Sequence, residues 1–373
     1  MIKAFGIVNA SNGRYHVPGL EDYRPIGAFS FLGRYRVVDF PVSNLSNSRI
    51  ERIQVYVGQN PRSIAEHLSD GQTYNINPKR GKLQILFNQD SRVNDIYNTD
   101  VAAYMANLSV IERMHQPYVI ILPGNMIFKQ DFQKVLQRHV ESGADVTLLY
   151  HKVSNATCHY RNTQVLELNR QGGVEAIGRN DGSVDERNIF MDSYVMKKET
   201  FVDLVKKAAA LSSIYTLSDI LNVENASLDI RGYQHKENVF APIYDLRSYY
   251  GANMEMLDYD YGRTVVSEDW PIYTPTTDAC PVHYYAGASV KNSIVANGSQ
   301  IYGSIENSIV GRGVEIRKGA HVKGCLILGH AVIGEGVYLE NQIVDKWAQV
   351  INAKEIIAPD PDYPGYIRRD DVL

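Results

Sequence analysis

The sequence predicts an α/β chain in two parts: a mainly parallel sheet covered by helices, then a parallel β-helix of hexapeptide repeats. Three observations carry this. Short apolar stretches alternate with helical patterns up to about residue 255, and after about 280 a four-residue unit recurs in fixed register. The chain also has 373 residues, 44% of them hydrophobic, which is more than one core usually fills.

In the first part, apolar strands are expected at Phe5 to Asn9, Ile53 to Val57, Tyr118 to Leu122 and Val146 to Tyr150. Between them, Phe132, Val135, Leu136 and Val140 keep the spacing of one buried helix face. Val101 to Met114 and Lys198 to Ala210 read as two further helices. The first strand runs into a polar turn, Asn9-Ala10-Ser11-Asn12-Gly13-Arg14-Tyr15, and Gly33 to Asn44 opens another helix. Residues 256 to 280 scatter Tyr259, Tyr261, Trp270, Pro271, Tyr273 and Pro275 among charges, the composition of a linker that packs on something. The expected organisation is a sheet domain over 1–255, a linker over 256–280, and a β-helix with a C-terminal tail over 281–373.

The repeat is the most diagnostic pattern. Asn292-Ser293-Ile294-Val295 returns as Asn307-Ser308-Ile309-Val310, as Gly324-Cys325-Leu326-Ile327 and as Asn341-Gln342-Ile343-Val344, at spacings of 15, 17 and 17 residues. Branched side chains stack coil over coil, with Gly or Asn at corners that need positive φ. An antiparallel sandwich with Gly-rich turns gives no reason for so fixed a register.

Charge is mixed, with 38 basic and 42 acidic residues and no block of one sign, so neither a nucleic-acid arm nor a polybasic membrane anchor is expected. Cys158, Cys280 and Cys325 lie far apart without a Cys-x-x-Cys, against a disulfide framework or a zinc site. No secretory leader pattern opens the chain, and no apolar run approaches the ~20 residues of a membrane span. A cytoplasmic protein acting on a small molecule or on another protein is the expectation.

Gly33-Arg34-Tyr35-Arg36-Val37-Val38-Asp39-Phe40-Pro41-Val42-Ser43-Asn44, Ser142-Gly143-Ala144-Asp145-Val146-Thr147, the stretch Ser248 to Met254 and the C-terminal repeats together resemble one family over nearly the whole chain. It is that of the sugar-phosphate nucleotidyltransferases, and within it glucose-1-phosphate adenylyltransferase, or ADP-glucose pyrophosphorylase. The resemblance implies a Rossmann-like nucleotidyltransferase domain. It also implies a reaction of ATP with glucose 1-phosphate that gives ADP-glucose and pyrophosphate. Such chemistry needs phosphate-binding amides and cations, and Mg²⁺ held by carboxylates.

At the positions this family uses, the sequence departs four times. The phosphate loop, Gly-Gly-x-Gly-x-Arg-Leu in active members, reads Asn9-Ala10-Ser11-Asn12-Gly13-Arg14-Tyr15; Ala10 is expected to obstruct a phosphate, while Arg14 remains as a possible anion ligand. The lysine of the next segment is Ile26, with Arg24 nearby. The two metal-binding aspartates align with Asn125 and Pro242, and Asp245 and Asp219 are alternative donors with capping as their ordinary role. In the sugar-phosphate motif Glu175 is kept, Arg179 replaces a lysine, and Asp192 stands where a glycine is usual. A carboxylate there is expected to repel a phosphosugar.

Such departures beside intact scaffold motifs resemble the GlgD-type regulatory subunits of this family. The resemblance implies a catalytic glucose-1-phosphate adenylyltransferase subunit as partner, in a hetero-oligomer expected to be a tetramer, with Mg²⁺ required by the partner and no metal held here. Arg24, Arg34 and Arg36 are candidates for binding a phosphorylated effector, against the plainer reading of a solvated basic face. Two alternatives are an active enzyme with an atypical metal site and a hexapeptide acyltransferase using His321 or His330 as base.

Overall fold

A computed structural model describes residues 2–11, 14–87 and 97–373. They form two compact units. One comprises Met1–Tyr15, Val38–Tyr244 and Trp270–Tyr273; the other comprises His16–Val37, Asp245–Asp269 and Thr274–Leu373.

In the first unit, the strands Ala4–Ala10 (β1), Arg52–Val57 (β2), Lys82–Phe87 (β3) and Tyr118–Pro123 (β4) run parallel, in the order β3-β2-β1-β4. β1 is central, which is why it reads as an unbroken apolar run rather than an alternation. Met126–Phe128 (β5) follows, then Val146–Val153 (β6), Gln164–Leu168 (β7), Val174–Arg179 (β8) and Arg187–Lys197 (β9). β9 joins β4 antiparallel and carries β6 and β7, with β8 at the edge beyond β7; Ile230–His235 (β10) lies parallel to β6. Phe240–Pro242 (β11) pairs with β5 in a separate two-stranded sheet.

Phe132–Ser142 and Lys198–Leu211 are helical as the spacing predicts, but in the first Val140 is exposed and His139, not Val140, joins Phe132, Val135 and Leu136 on the buried face. The single helix expected over Val101 to Met114 is instead two, Asp100–Ala106 and Leu108–Glu112. Asn107 separates them: its amide donates to Ala103 O at 3.0 Å and Phe87 O at 3.3 Å, a side-chain competitor for the helix's own backbone bonds.

In the second unit, three five-stranded parallel sheets close the β-helix. The repeated tetrapeptides are in register, Ile294 beside Ile309, Leu326 and Ile343 in turn. Ile301, Ile316, Ile333 and Val350 fill one inner column, and Ile305, Val322 and Leu339 another. At the corner, Asn292, Asn307, Gly324 and Asn341 take φ of 40°, 46°, 57° and 54°, the conformation the repeat predicts.

Residues 16–37 belong to this unit. Buried Arg24 pairs with buried Asp345, and Leu32 N donates to Asn253 Oδ1 at 3.0 Å. Helix Leu246–Met254 is tied to the coils by Tyr250, whose hydroxyl donates to Gly324 O at 2.5 Å. Within 256–280, Tyr259–Val265 is a helix, while Trp270 Nε1 donates to Asn44 Oδ1 at 2.9 Å inside the sheet unit.

Candidate functional site

The turn after β1 is closed by its own side chains. Buried Asn9 accepts through Oδ1 from Ser11 N at 3.1 Å and from Ser11 Oγ at 2.8 Å. Ala10 packs against Gly124: a Cβ on Gly124 would fall 2.8 Å from both Cα and Cβ of Ala10. Asn12 and Gly13 lie outside the described residues.

Arg14, the cation expected to survive as an anion ligand, is engaged by the protein itself. It donates to Gln164 Oε1 on β7 and to Ser218 Oγ at 3.1 Å, and pairs with Asp192 on β9 at 3.7 Å. Gln164 Nε2 also donates to Ser218 Oγ, at 3.0 Å. Burial works against the guanidinium's charge, yet the fields of Asp192, Tyr194, Tyr15 and Asp100 outweigh it and raise its pKa.

Asp192 accepts a 2.6 Å hydrogen bond from Tyr194 OH. Its φ is 45°, a left-handed conformation that costs most L-residues about 1–2 kcal/mol and that Gly, Asn and Asp tolerate best. The backbone thus explains a small residue here. The charge needs a separate reason, and Arg14 supplies it.

A second carboxylate, Asp100, faces the same pair. It sits in the first turn of a helix capped by Thr99 and accepts from Val101 N at 2.8 Å and Leu217 N at 3.2 Å. Burial, and then the charge of Asp192, push its pKa up to about 7 against the pull of Arg14 and those amides. Asp100, Gln164, Ser218 and Tyr194 went unnoticed in the sequence. Only the Thr99-Asp100 cap has a local signal.

Glu175 and Arg179 are exposed on edge strand β8, and Glu175 O accepts from Asn225 Nδ2 at 2.6 Å. Arg179 lies directly opposite Gln164 in the antiparallel pair, which puts both side chains on one face of the sheet. Gln164 therefore bonds Arg14, which pairs with Asp192, and shares a sheet face with Arg179, while Glu175 sits further along the edge.

The two positions aligned with metal-binding aspartates are neighbours, as a shared metal would require, but their chemistry is neutral. Pro242 is paired with Met126 across β11 and β5. Asn125 Nδ2 donates to Ile243 O at 2.9 Å, and Ile243 N donates to Asn125 O at 2.8 Å. Asp245 and Asp219, the alternative donors, are both committed to helix capping boxes. Among the described residues no group of three or more His, Cys, Asp or Glu is placed to hold a metal. An amide already bonded to backbone and a proline do not fit Mg²⁺, which relies on carboxylate oxygens.

In the second unit, Arg24 and Arg36 are brought together around Lys346, and Arg34 is not. Burial, then the charges of Arg36, Arg24 and Arg369, push the Lys346 ammonium down to about 7 despite Asp345. The Nε of Arg24 is buried with no hydrogen-bond partner among the described residues. Arg34 is exposed, its guanidinium 5.7 Å from the Tyr35 ring centroid. Lys346 and Arg369 are additions that sequence spacing did not reveal. As for the acyltransferase histidines, His321 is exposed on its coil, and His330 stacks on Trp347 at 4.2 Å.

Comparison with known proteins agrees with both halves. Residues 23–159 match the nucleotidyl transferase family and residues 282–364 the GlmU-like C-terminal hexapeptide family. The chain is 29% identical to the glycogen biosynthesis protein GlgD of Geobacillus stearothermophilus, over 86% of this chain and 83% of that one. It is 27% identical to GlgD of Bacillus subtilis (strain 168), covering 94% and 91%. It is also 27% identical to glucose-1-phosphate adenylyltransferase of Clostridium perfringens (strain SM101 / Type A), covering 82% and 79%. The resemblance expected from the motifs is borne out. Among the described residues no helix is long and apolar enough to cross a membrane.

Proposed function

From its likeness, over nearly the whole chain, to GlgD proteins and glucose-1-phosphate adenylyltransferases, we propose that this chain serves glycogen biosynthesis as a regulatory subunit of ADP-glucose pyrophosphorylase. It is catalytically silent, or weak, by itself. The observation that carries this reading is the pair Asn125 and Pro242, which occupy adjoining positions where the reaction calls for metal-binding carboxylates.

Nucleotidyl transfer depends on neutralising phosphate charge. Here the loop bonds to itself through Asn9, the loop arginine is held by Gln164, Ser218 and Asp192, and Asn125 and Pro242 offer Mg²⁺ no carboxylate. The fold is kept while the means of reaction are not, which fits a subunit that acts by contact with a catalytic glucose-1-phosphate adenylyltransferase subunit. Its regulatory input is a phosphorylated metabolite bound by Arg24, Arg36, Lys346 and Arg369, four cations among which Asp345 pairs with Arg24 and Asp370 with Arg369. The buried, unpartnered Nε of Arg24 supports an anion there.

Co-expression with a catalytic partner tests the reading. The two chains are expected to co-purify, and the mixture to differ from the partner alone in KM or in its response to phosphometabolites. Two chains that elute separately, with the partner's kinetics unchanged by this one, contradict it.

A further inference from the structure

Arg14 and Asp192 form a pair whose side chains are 12% and 13% exposed, closed off enough to feel each other's charge yet reachable by a ligand. Every described contact of this guanidinium named above is to the protein itself. Asp192 and Asp100 together set two carboxyls against one cation, so an incoming phosphate meets a site already neutral or negative.

We propose that the Asp192 carboxylate is a tethered anion that occupies Arg14 in place of a phosphate monoester, so that this chain excludes sugar phosphates here and loss of that one charge admits them. Three features carry this. The Asp192 carboxylate lies within ion-pair range of Arg14. The left-handed φ of 45° is as well served by Asn or Gly, so the charge is what the aspartate adds. The Tyr194 hydroxyl, at 2.6 Å, fixes the carboxylate in place. Arg179, on the same face as Gln164, supplies a second cation to a phosphate once the carboxylate is gone. The choice of a sugar phosphate as ligand rests on the functional reading above.

Calorimetric titration of the full chain with glucose 1-phosphate tests the proposal. Asp192→Asn keeps the left-handed backbone and an acceptor for Tyr194 while removing the charge. The wild-type chain is expected to show no saturable binding at millimolar ligand. Asp192→Asn and Asp192→Gly are expected to bind at least about tenfold more tightly, the ~1.4 kcal/mol that one lost repulsion readily supplies. Adding Arg14→Ala to either should abolish the gain. Near-UV circular dichroism establishes that each variant is folded. Three results overturn the proposal: wild-type binding as tight as the variants', folded Asn and Gly variants that still refuse the ligand, or a gain that survives loss of Arg14. None of these bears on whether the wild-type chain turns over substrate, so failure here is distinguishable from failure of the functional reading.

Discussion

Asp100 gives the sheet unit a pH signature of its own. Its pKa is about 7 in the folded chain against an ordinary 3.8, so between about pH 4 and pH 7 the native state binds a proton that the unfolded chain has released. Its contribution to stability is therefore most favourable below pH 4 and is lost as pH rises toward 7, at about 1.4 kcal/mol for each unit of pKa displacement. Asp100→Asn keeps an oxygen for Val101 N and Leu217 N and should remove this slope. Urea unfolding midpoints compared between wild type and variant at pH 4.5 and 7.5 check it; identical pH dependence in the two would contradict it. At this scale the sequence was legible wherever chemistry changed in place: Asn125 and Pro242 cannot become carboxylates in any conformation. It was illegible where partners are distant along the chain. Gln164, Asp192 and Ser218 come from a strand, another strand and a helix, and nothing local in any of them announces Arg14.

The elements show the same division. The β-helix could be read because each coil repeats the same demand, an Asn or Gly corner at positive φ followed by a pair of branched residues of which the second, Val310, Ile327 or Val344, enters the core. Asn307 illustrates the energetics: it accepts from Asn292 Nδ2 at 2.8 Å while holding φ of 46°. Asn307→Ala loses that exposed bond and strains the corner, with an expected cost of about 1–3 kcal/mol. Asn307→Gly should cost less than about 1 kcal/mol. Thermal unfolding of both variants checks this, and an alanine variant as stable as the glycine one would contradict it. An inner-column change, Ile316→Ala, should cost more, about 2–5 kcal/mol, because it leaves a cavity between stacked coils. By contrast the break at Asn107 is invisible to apolar periodicity, since it arises from a polar side chain bonding to Ala103 O. The association of residues 16–37 with the β-helix was equally hidden, because its buried ion pair joins Arg24 to a residue 321 positions away.

For the whole molecule, the proposed loss of chemistry lies in the sheet unit and the proposed anion site in the other. Lys346 makes the second half measurable. Burial, and then neighbouring cations, hold its ammonium down to about 7, and a bound phosphate would restore the proton. Titration of the chain with inorganic phosphate at pH 8 should therefore show proton uptake, read as a binding heat that varies with the buffer's ionisation enthalpy. Lys346→Ala should remove that dependence and weaken binding several-fold; phosphate binding that is indifferent to the substitution would contradict the assignment. The central claim concerns catalysis, and the most direct measurement is ADP-glucose formation by the purified chain alone, with ATP, glucose 1-phosphate and Mg²⁺, against the same chain mixed with a catalytic partner. The account predicts turnover at or near background for the chain alone and partner-dependent turnover in the mixture. Robust ADP-glucose formation by the chain alone would contradict it.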